Sequence, residues 1–325
     1  MRARHQRPKV GVTTSTAPSS VIRFTERSKE NMRALFERYK KRASKYITTQ
    51  DRPYYPDYLE QATNLYRDVF GQFGSLVQIS TSSAALLIKI HEQPGEVRIQ
   101  LLRCFRKYVS PMTSVEMLKV KAKANQVIEG FGESFRPIDE VREGFKKRPL
   151  DDEALAAVLW EHHDRGTPGY ILTSEFFDAF EKKFGEKYLI AGPREAGADV
   201  QLSTVLPKFT SIVPADFVIM RRESTIPLVV GFAHYDSDRG GSQEDDRTGG
   251  NQDKVEKIMA YAARRRLPMQ VLFVNDGPGL LLGSMWDDYA RLETDNIVDD
   301  ELRVMVVTLK MVSERLTVNW LEGRH

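Results

Sequence analysis

The sequence predicts an α/β (α+β) protein, with an all-helical N-terminal region followed by a mixed sheet. Three observations carry that expectation. From about residue 25 to 147, apolar residues recur at spacings of three and four. After Pro149 the chain turns to short strand-like runs bounded by turn residues: DFVIMRR, PLVVGFAHY, MQVLFVND and VMVVTLK. The helix-patterned DKVEKIMAYAARRR separates two of these runs, as a crossover between parallel neighbours requires.

Taken in order, residues 1–22 are rich in Ser, Thr, Pro and Arg without periodicity and read as a flexible basic arm. Ser28 can cap a helix through NMRALFERYKKRASKYI, and residues 58–73 keep helical spacing. SAALLIKIHE, VRIQLLRCFRKYV, SVEMLKVKAKANQVIEGF and IDEVREGFKK follow as helices, separated by Pro94–Gly95, Pro111 and the stretch 130–137. The expected division is a helical region over 23–150 and an α/β domain over 151–325. The second half opens with helices LDDEALAAVLWEHH and TSEFFDAFEKKF, the latter closed by Gly185. ADVQLSTVL is then expected as the first strand, DFVIMRR as the second and PLVVGFAHY as the third, short turns making these three antiparallel. LLLGSMWDDY reads as a helix packing Leu281, Met285 and Trp286 inward.

Composition narrows the function. A chain of 325 residues with 41% hydrophobic content can bury a sizeable interior. It contains no apolar stretch of bilayer length, and MRARHQRPKVGV lacks the apolar segment of a secretory signal, so a cytoplasmic protein without membrane partners is expected. The one cysteine, Cys104, excludes an internal disulfide framework and a cysteine-based zinc site, and is expected in the core. Residues 1–52 carry fourteen Lys or Arg against four acids, about +10, in a chain whose net charge is +3. Such asymmetry is the footprint of a polyanion binder, and it marks the helical region as a candidate DNA grip; a solvated helix face is the alternative. Tyr39, Tyr46, Tyr54, Tyr55 and Tyr58 lie in or beside this run and suit either contact with bases or core packing.

The segment HYDSDRGGSQEDDRTGGNQDK, residues 234–254, is denser in chemistry than a turn requires. Arg offers paired donors to guanine, Gln and Asn pair with adenine, and Asp or Glu accept from cytosine. Arg239, Gln243, Glu244, Asp245, Arg247, Asn251, Gln252 and Lys254 include all three kinds, and glycines 240, 241, 249 and 250 would let the backbone approach a groove. An internally paired, acid-rich helix start is the bland alternative. Glu195 and Asp199 flank the expected first strand, with Arg194 beside them. NDGPG lacks the lysine and hydroxyl of a phosphate-binding loop, and no nucleotide cofactor is expected.

The element order, with PAD at 214–216 opening the second strand and a polar segment and helix after the third, resembles the PD-(D/E)xK nuclease superfamily. Within it, DSDRGGSQEDDR together with NDGPGLLLGSMWDDY resembles the type II restriction endonucleases. The likeness covers about residues 175–280 and implies a restriction-endonuclease-like core, Mg²⁺-dependent phosphodiester hydrolysis at a specific duplex DNA sequence, and a homodimer. It implies a metal-binding acid at the start of the second strand, where Asp216 stands, and an acid-x-lysine pair on the third. The pair is missing, since its places fall near Gly231 and Ala233. Period-two alternation instead puts His234 and Asp236 on one face as a replacement pair, with Glu244, or its neighbours Asp245 and Asp246, as the displaced metal ligand. In that reading Asp216 and Glu244 bind Mg²⁺, His234 or Asp236 acts near the water, and Arg239, Gln243, Asp245, Arg247 and Lys254 contact DNA. A degenerate site that only binds DNA is the competing reading.

Overall fold

The computed structural model describes residues 35–163, 167–195, 197–237 and 242–323; for 162–163 and 242–248 it describes the backbone alone. The chain divides into two compact units, Thr49–Ile171 and Met1–Thr48 with Leu172–His325. This differs from a boundary at 150. The helix expected to open the α/β half packs Ala156 and Leu159 into the core of the helical unit, and the segment ending at Thr48 belongs to the sheet unit. The arm over 1–22 lies outside the described residues.

The helical unit is built from α1 (Leu59–Ile79), α2 (Ser83–His91), α3 (Gly95–Tyr108), α4 (Lys121–Phe131), α5 (Ile138–Lys146) and α6 (Glu153–His163). On α1 the buried Tyr66, Phe70, Phe73 and Val77 recur at helical spacing, giving one apolar stripe. Ser82 caps α2 by accepting from the Ala85 N–H at 3.0 Å. SVEMLKVKAKANQVIEGF forms two helices rather than one, Val115–Leu118 and α4. Cys104 is fully buried, and burial pushes its thiol up to about 12, so it packs rather than reacts.

The sheet unit follows helix α7 (Thr167–Phe184) with a five-stranded sheet: β1 (Tyr188–Ala191), β2 (Phe217–Arg221), β3 (Val229–Tyr235), β4 (Gln270–Asp276) and β5 (Val304–Val307). The strands lie side by side in chain order; β1–β2 and β2–β3 are antiparallel, β3–β4 and β4–β5 parallel. Helix α8 (Ser242–Arg265) makes the first parallel crossover and α9 (Met285–Thr294) lies within the second. The mixed sheet is the one the sequence predicts, but its first strand is Tyr188–Ala191. In ADVQLSTVL only Val200–Gln201 is extended, paired with Pro214–Ala215, while Leu202–Val205 turns into a short helix that buries Leu202. Interior strand β4 is buried at every position, as a strand covered on both faces must be. Met285 and Trp286 are core residues, but Leu281 is 56% exposed and Leu280 takes the buried place. Among the described residues no helix is long and apolar enough to cross a membrane.

The basic segment before Thr48 is a strap on this unit. Residues Phe36–Arg42 form a 3-10 turn, whose three-residue period puts Phe36 and Tyr39 on one buried face while Arg38, Lys40, Lys41 and Arg42 stay exposed. Phe36 stacks on Trp286 at 4.2 Å, and its N–H donates to Glu293 Oε2 at 2.7 Å. Tyr39 donates to Glu314 Oε1 at 2.8 Å, and the Tyr46 carbonyl accepts from Thr308 Oγ1 at 2.6 Å. Tyr39 is therefore a core residue, its proton held by burial and the Glu314 carboxylate. Tyr54 and Tyr55 are 81% and 72% exposed, so they do not fill a core.

Candidate functional site

The sheet's geometry gathers the site. Strands β3 and β4 run parallel and in register, pairing Phe232 with Phe273, His234 with Asn275 and Tyr235 with Asp276 at their C-terminal ends. In open α/β sheets ligands bind outside such ends. A pocket of about 350 Å³ opens there, lined by Asp216, Phe232, Ala233 and His234, by Gly250, Asn251 and Lys254 of α8, and by Phe273, Asn275 and Tyr289.

Asp216 stands immediately before β2 and is tied to β3 twice. Its N–H donates to the Gly231 carbonyl at 3.0 Å, and its Oδ2 accepts from the Ala233 N–H at 2.9 Å. Burial pushes the carboxyl above its ordinary value, against the Ala233 hydrogen bond. The Asp199 carboxylate adds like-charge repulsion, while Lys254 and His234 favour the ionised form. Lys254 sits with its ammonium 4.6 Å over the Phe232 ring. An acid, an ammonium and an imidazole thus share one pocket.

His234 and Asp236 do come together, with Nε2 3.3 Å from Oδ1. Their exposures differ: the His234 side chain is 44% exposed and that of Asp236 fully buried. The two face each other as a charge pair without a hydrogen bond, and Asp236 is too enclosed to meet a polymer itself. Its enclosure comes from the NDGPG turn. The Asp236 N–H donates to the Asp276 carbonyl at 2.7 Å, and its own carbonyl accepts from the Gly279 N–H at 2.8 Å. A Cβ on Gly277, whose φ is +104°, would lie 2.2 Å from the Asp236 oxygen, so the turn needs glycine there.

The structure also shows why residue 231 carries no side chain. Gly231 faces the core, not the pocket: a Cβ there would fall 1.9 Å from the Phe217 ring, which packs against Phe176 and Phe177. The pocket side of β3 is presented by Phe232 and His234, with Ala233 at the rim.

The polar segment after β3 differs from expectation. Helix α8 starts at Ser242 and runs for 24 residues, so Gln243, Glu244, Asp245, Arg247, Asn251, Gln252 and Lys254 stand on a helix, not on a glycine-bent loop. Gly249 and Gly250 have no positive φ, and a Cβ at either would meet nothing within 4 Å. Acids at 244–246 favour the positive end of the helix dipole, and the buried Val255, Ile258 and Tyr261 anchor it, which offsets the two glycines. Asn251 and Lys254, three apart, reach the pocket together. The side chains of Gln243, Glu244, Asp245 and Arg247 lie outside those described, and Arg239 outside the described residues.

Three participants were not foreseen. Asn275 and Tyr289 line the pocket; Asn275 is only 1% exposed. Asp276 is a fully buried hub that accepts from the Thr48 N–H at 2.7 Å, the Gly277 N–H at 2.8 Å and the Leu309 N–H at 2.9 Å. Burial raises its pKa and these bonds oppose the rise. The signal was a polar Asn-Asp pair ending an otherwise apolar strand.

Among the described residues no group of three or more His, Cys, Asp or Glu is placed to hold a metal ion. The donor set suits a hard cation in part: Asp216 is a half-buried carboxylate with one oxygen already bonded, and its raised pKa is the state a divalent cation would reverse. In comparison with family models, curated proteins and solved structures, nothing matches this chain.

Proposed function

We propose that this chain is a sequence-specific double-stranded DNA endonuclease of the type II restriction class, hydrolysing phosphodiester bonds with Mg²⁺ and acting as a homodimer. The observation that carries the reading is the placement of Asp216. Three antiparallel strands, a crossover helix and a parallel fourth strand set this acid beside Lys254 and His234, at the C-terminal ends of β3 and β4. Asp216, with Glu244 from the first turn of α8, would hold Mg²⁺. The bound ion supplies charge stabilisation for the phosphoryl oxygens and a more acidic water.

The chain's own residues do the rest. Asp216 is fixed by the Ala233 N–H, so its second oxygen is pre-aimed. Lys254 takes the place of the strand lysine from the helix and offsets negative charge at the phosphate. His234, backed by Asp236 at 3.3 Å, accepts a proton from water at its free ring nitrogen or donates one to the leaving oxygen. Arg239, which precedes α8 in the chain, and Gln243, Asp245 and Arg247 of its first turns read or position the duplex, and the exposed cations of the strap add phosphate contacts. A two-fold pair of chains suits a palindromic site.

The filled place at Gly231 favours a second reading, a DNA-binding protein without catalysis. One experiment separates the two: long unmethylated duplex DNA incubated with the protein and Mg²⁺ or EDTA. Discrete fragments that require Mg²⁺, and are lost in Asp216→Ala with binding retained, support the nuclease. Intact DNA that is nevertheless shifted in both buffers supports the binder, and neither cutting nor binding refutes both.

A further inference from the structure

The side chain of Asn275 has no role in the expected catalytic set, yet it is 1% exposed and its Nδ2 has no hydrogen-bond partner among the described residues. A buried amide donor left without a partner costs about 1–3 kcal/mol, so native structures rarely keep one that nothing uses. Asn275 pairs across the parallel ladder with His234 and lines the same pocket as Asp216 and Lys254. Its neighbour Asn251 differs, since that amide donates to Tyr289 Oη at 3.4 Å. The pocket is therefore lined by two N–H donors of different kinds, the Lys254 ammonium and the Asn275 amide, together with the Asp216 carboxylate. Donors brought to one pocket from a strand end and a helix suit an oxyanion with more than one acceptor oxygen.

We infer that Asn275 and Lys254 form a phosphoryl-oxygen subsite, in which the Asn275 amide donates to a non-bridging oxygen of the scissile phosphate. This rests on the nuclease reading for its substrate. Asn275 differs from the expected residues in being neutral and rigidly enclosed, so it adds orientation where Lys254 adds charge. A donor aimed at an oxygen that gains charge in the transition state acts mainly on kcat.

The test uses Asn275→Asp, which keeps shape and replaces the donor by a repelling oxygen, and Asn275→Ser as a second variant should the first fail to fold. With Mg²⁺ and duplex DNA, both should give the wild-type fragment pattern and KM, with kcat lower by about 10²–10³-fold, the typical cost of one lost oxyanion donor. Undiminished cutting by Asn275→Asp overturns the inference, because a pocket-facing acceptor would then be serving a cation. Should the wild-type protein cut no DNA, the nuclease reading fails separately and the subsite is read with inorganic phosphate. A rise in melting temperature with phosphate over sodium chloride of equal ionic strength, absent in Asn275→Asp and in Lys254→Gln, keeps the subsite; no rise in the wild-type protein overturns it.

Discussion

Gly231→Ala asks how firmly the core excludes an acid from the third strand. The new Cβ would lie 1.9, 2.1 and 2.4 Å from three carbons of the Phe217 ring, where carbon contacts normally settle at about 3.5–4.0 Å. The ring cannot simply swing away, because it is fully buried, 5.0 Å from the Phe176 ring and 5.8 Å from that of Phe177. Overpacking of this kind costs about 1–3 kcal/mol, which for a unit of this size lowers the melting temperature by roughly 2–12 °C. Phe217→Ala alone should cost about 3–5 kcal/mol, but it removes the obstacle, so the double variant should be less destabilised than the two singles added, by about 0.5–3 kcal/mol. Urea unfolding followed by circular dichroism measures all three. An unchanged midpoint for Gly231→Ala, or strict additivity, refutes the steric reasoning. In the same logic Gly231→Glu with Ala233→Lys should not create a working acid-x-lysine site, since the carboxylate would enter the aromatic core.

Other expectations follow from charge and burial. Asp216 has a carboxyl raised by burial, so the folded chain holds its proton more tightly than the unfolded one, and stability falls as pH rises from the ordinary carboxylate value of 3.8 through the raised one. Asp216→Asn should therefore melt higher than wild type at pH 7 but not in acid, and Mg²⁺ should raise the wild-type melting temperature alone; a less stable variant at pH 7 refutes this. Glu293 is fully buried, bonded at 2.7 Å to Arg315 and at 2.7 and 2.8 Å to the N–H groups of Phe36 and Val306. Glu293→Gln leaves the Arg315 charge uncompensated and should cost about 3–5 kcal/mol in urea; a loss below about 1 kcal/mol contradicts the pair's role. Asp276→Asn replaces an acceptor oxygen with a donor facing backbone N–H groups, at about 1–3 kcal/mol, and hydrogen exchange at Thr48 and Leu309 should quicken; protected amides there overturn the hub.

How far the sequence went follows from which of its signals are local. Hydrophobic period and turn residues fixed the helices α1, α2, α3 and α5 and strands β2, β3, β4 and β5 closely, because each buries a face whose spacing is written in the chain. The Asp216 position was legible for the same reason: it stands where a buried strand begins. Period two also put His234 and Asp236 on one face, and the structure brings them to 3.3 Å.

Tertiary structure decided the rest. Strand β1 has only four residues, too few for a period to show in the sequence, and it is recognised by its pairing with β2. The start of α8 was hidden because its glycines and acids read locally as a loop, whereas the buried residues beyond them pull that stretch into helix. The charge of the basic strap is visible in the sequence, whereas the burial of Phe36 and Tyr39 against α9 and its neighbours is not. Asn275 became a candidate only once β3 and β4 were laid in register, since a polar residue ending an apolar strand acquires chemistry from what stands across from it. Composition and periodicity determine most of the elements and the faces they bury; the remaining elements, and which side chains meet, depend on contacts between residues far apart in the chain, and those exist only in the folded state.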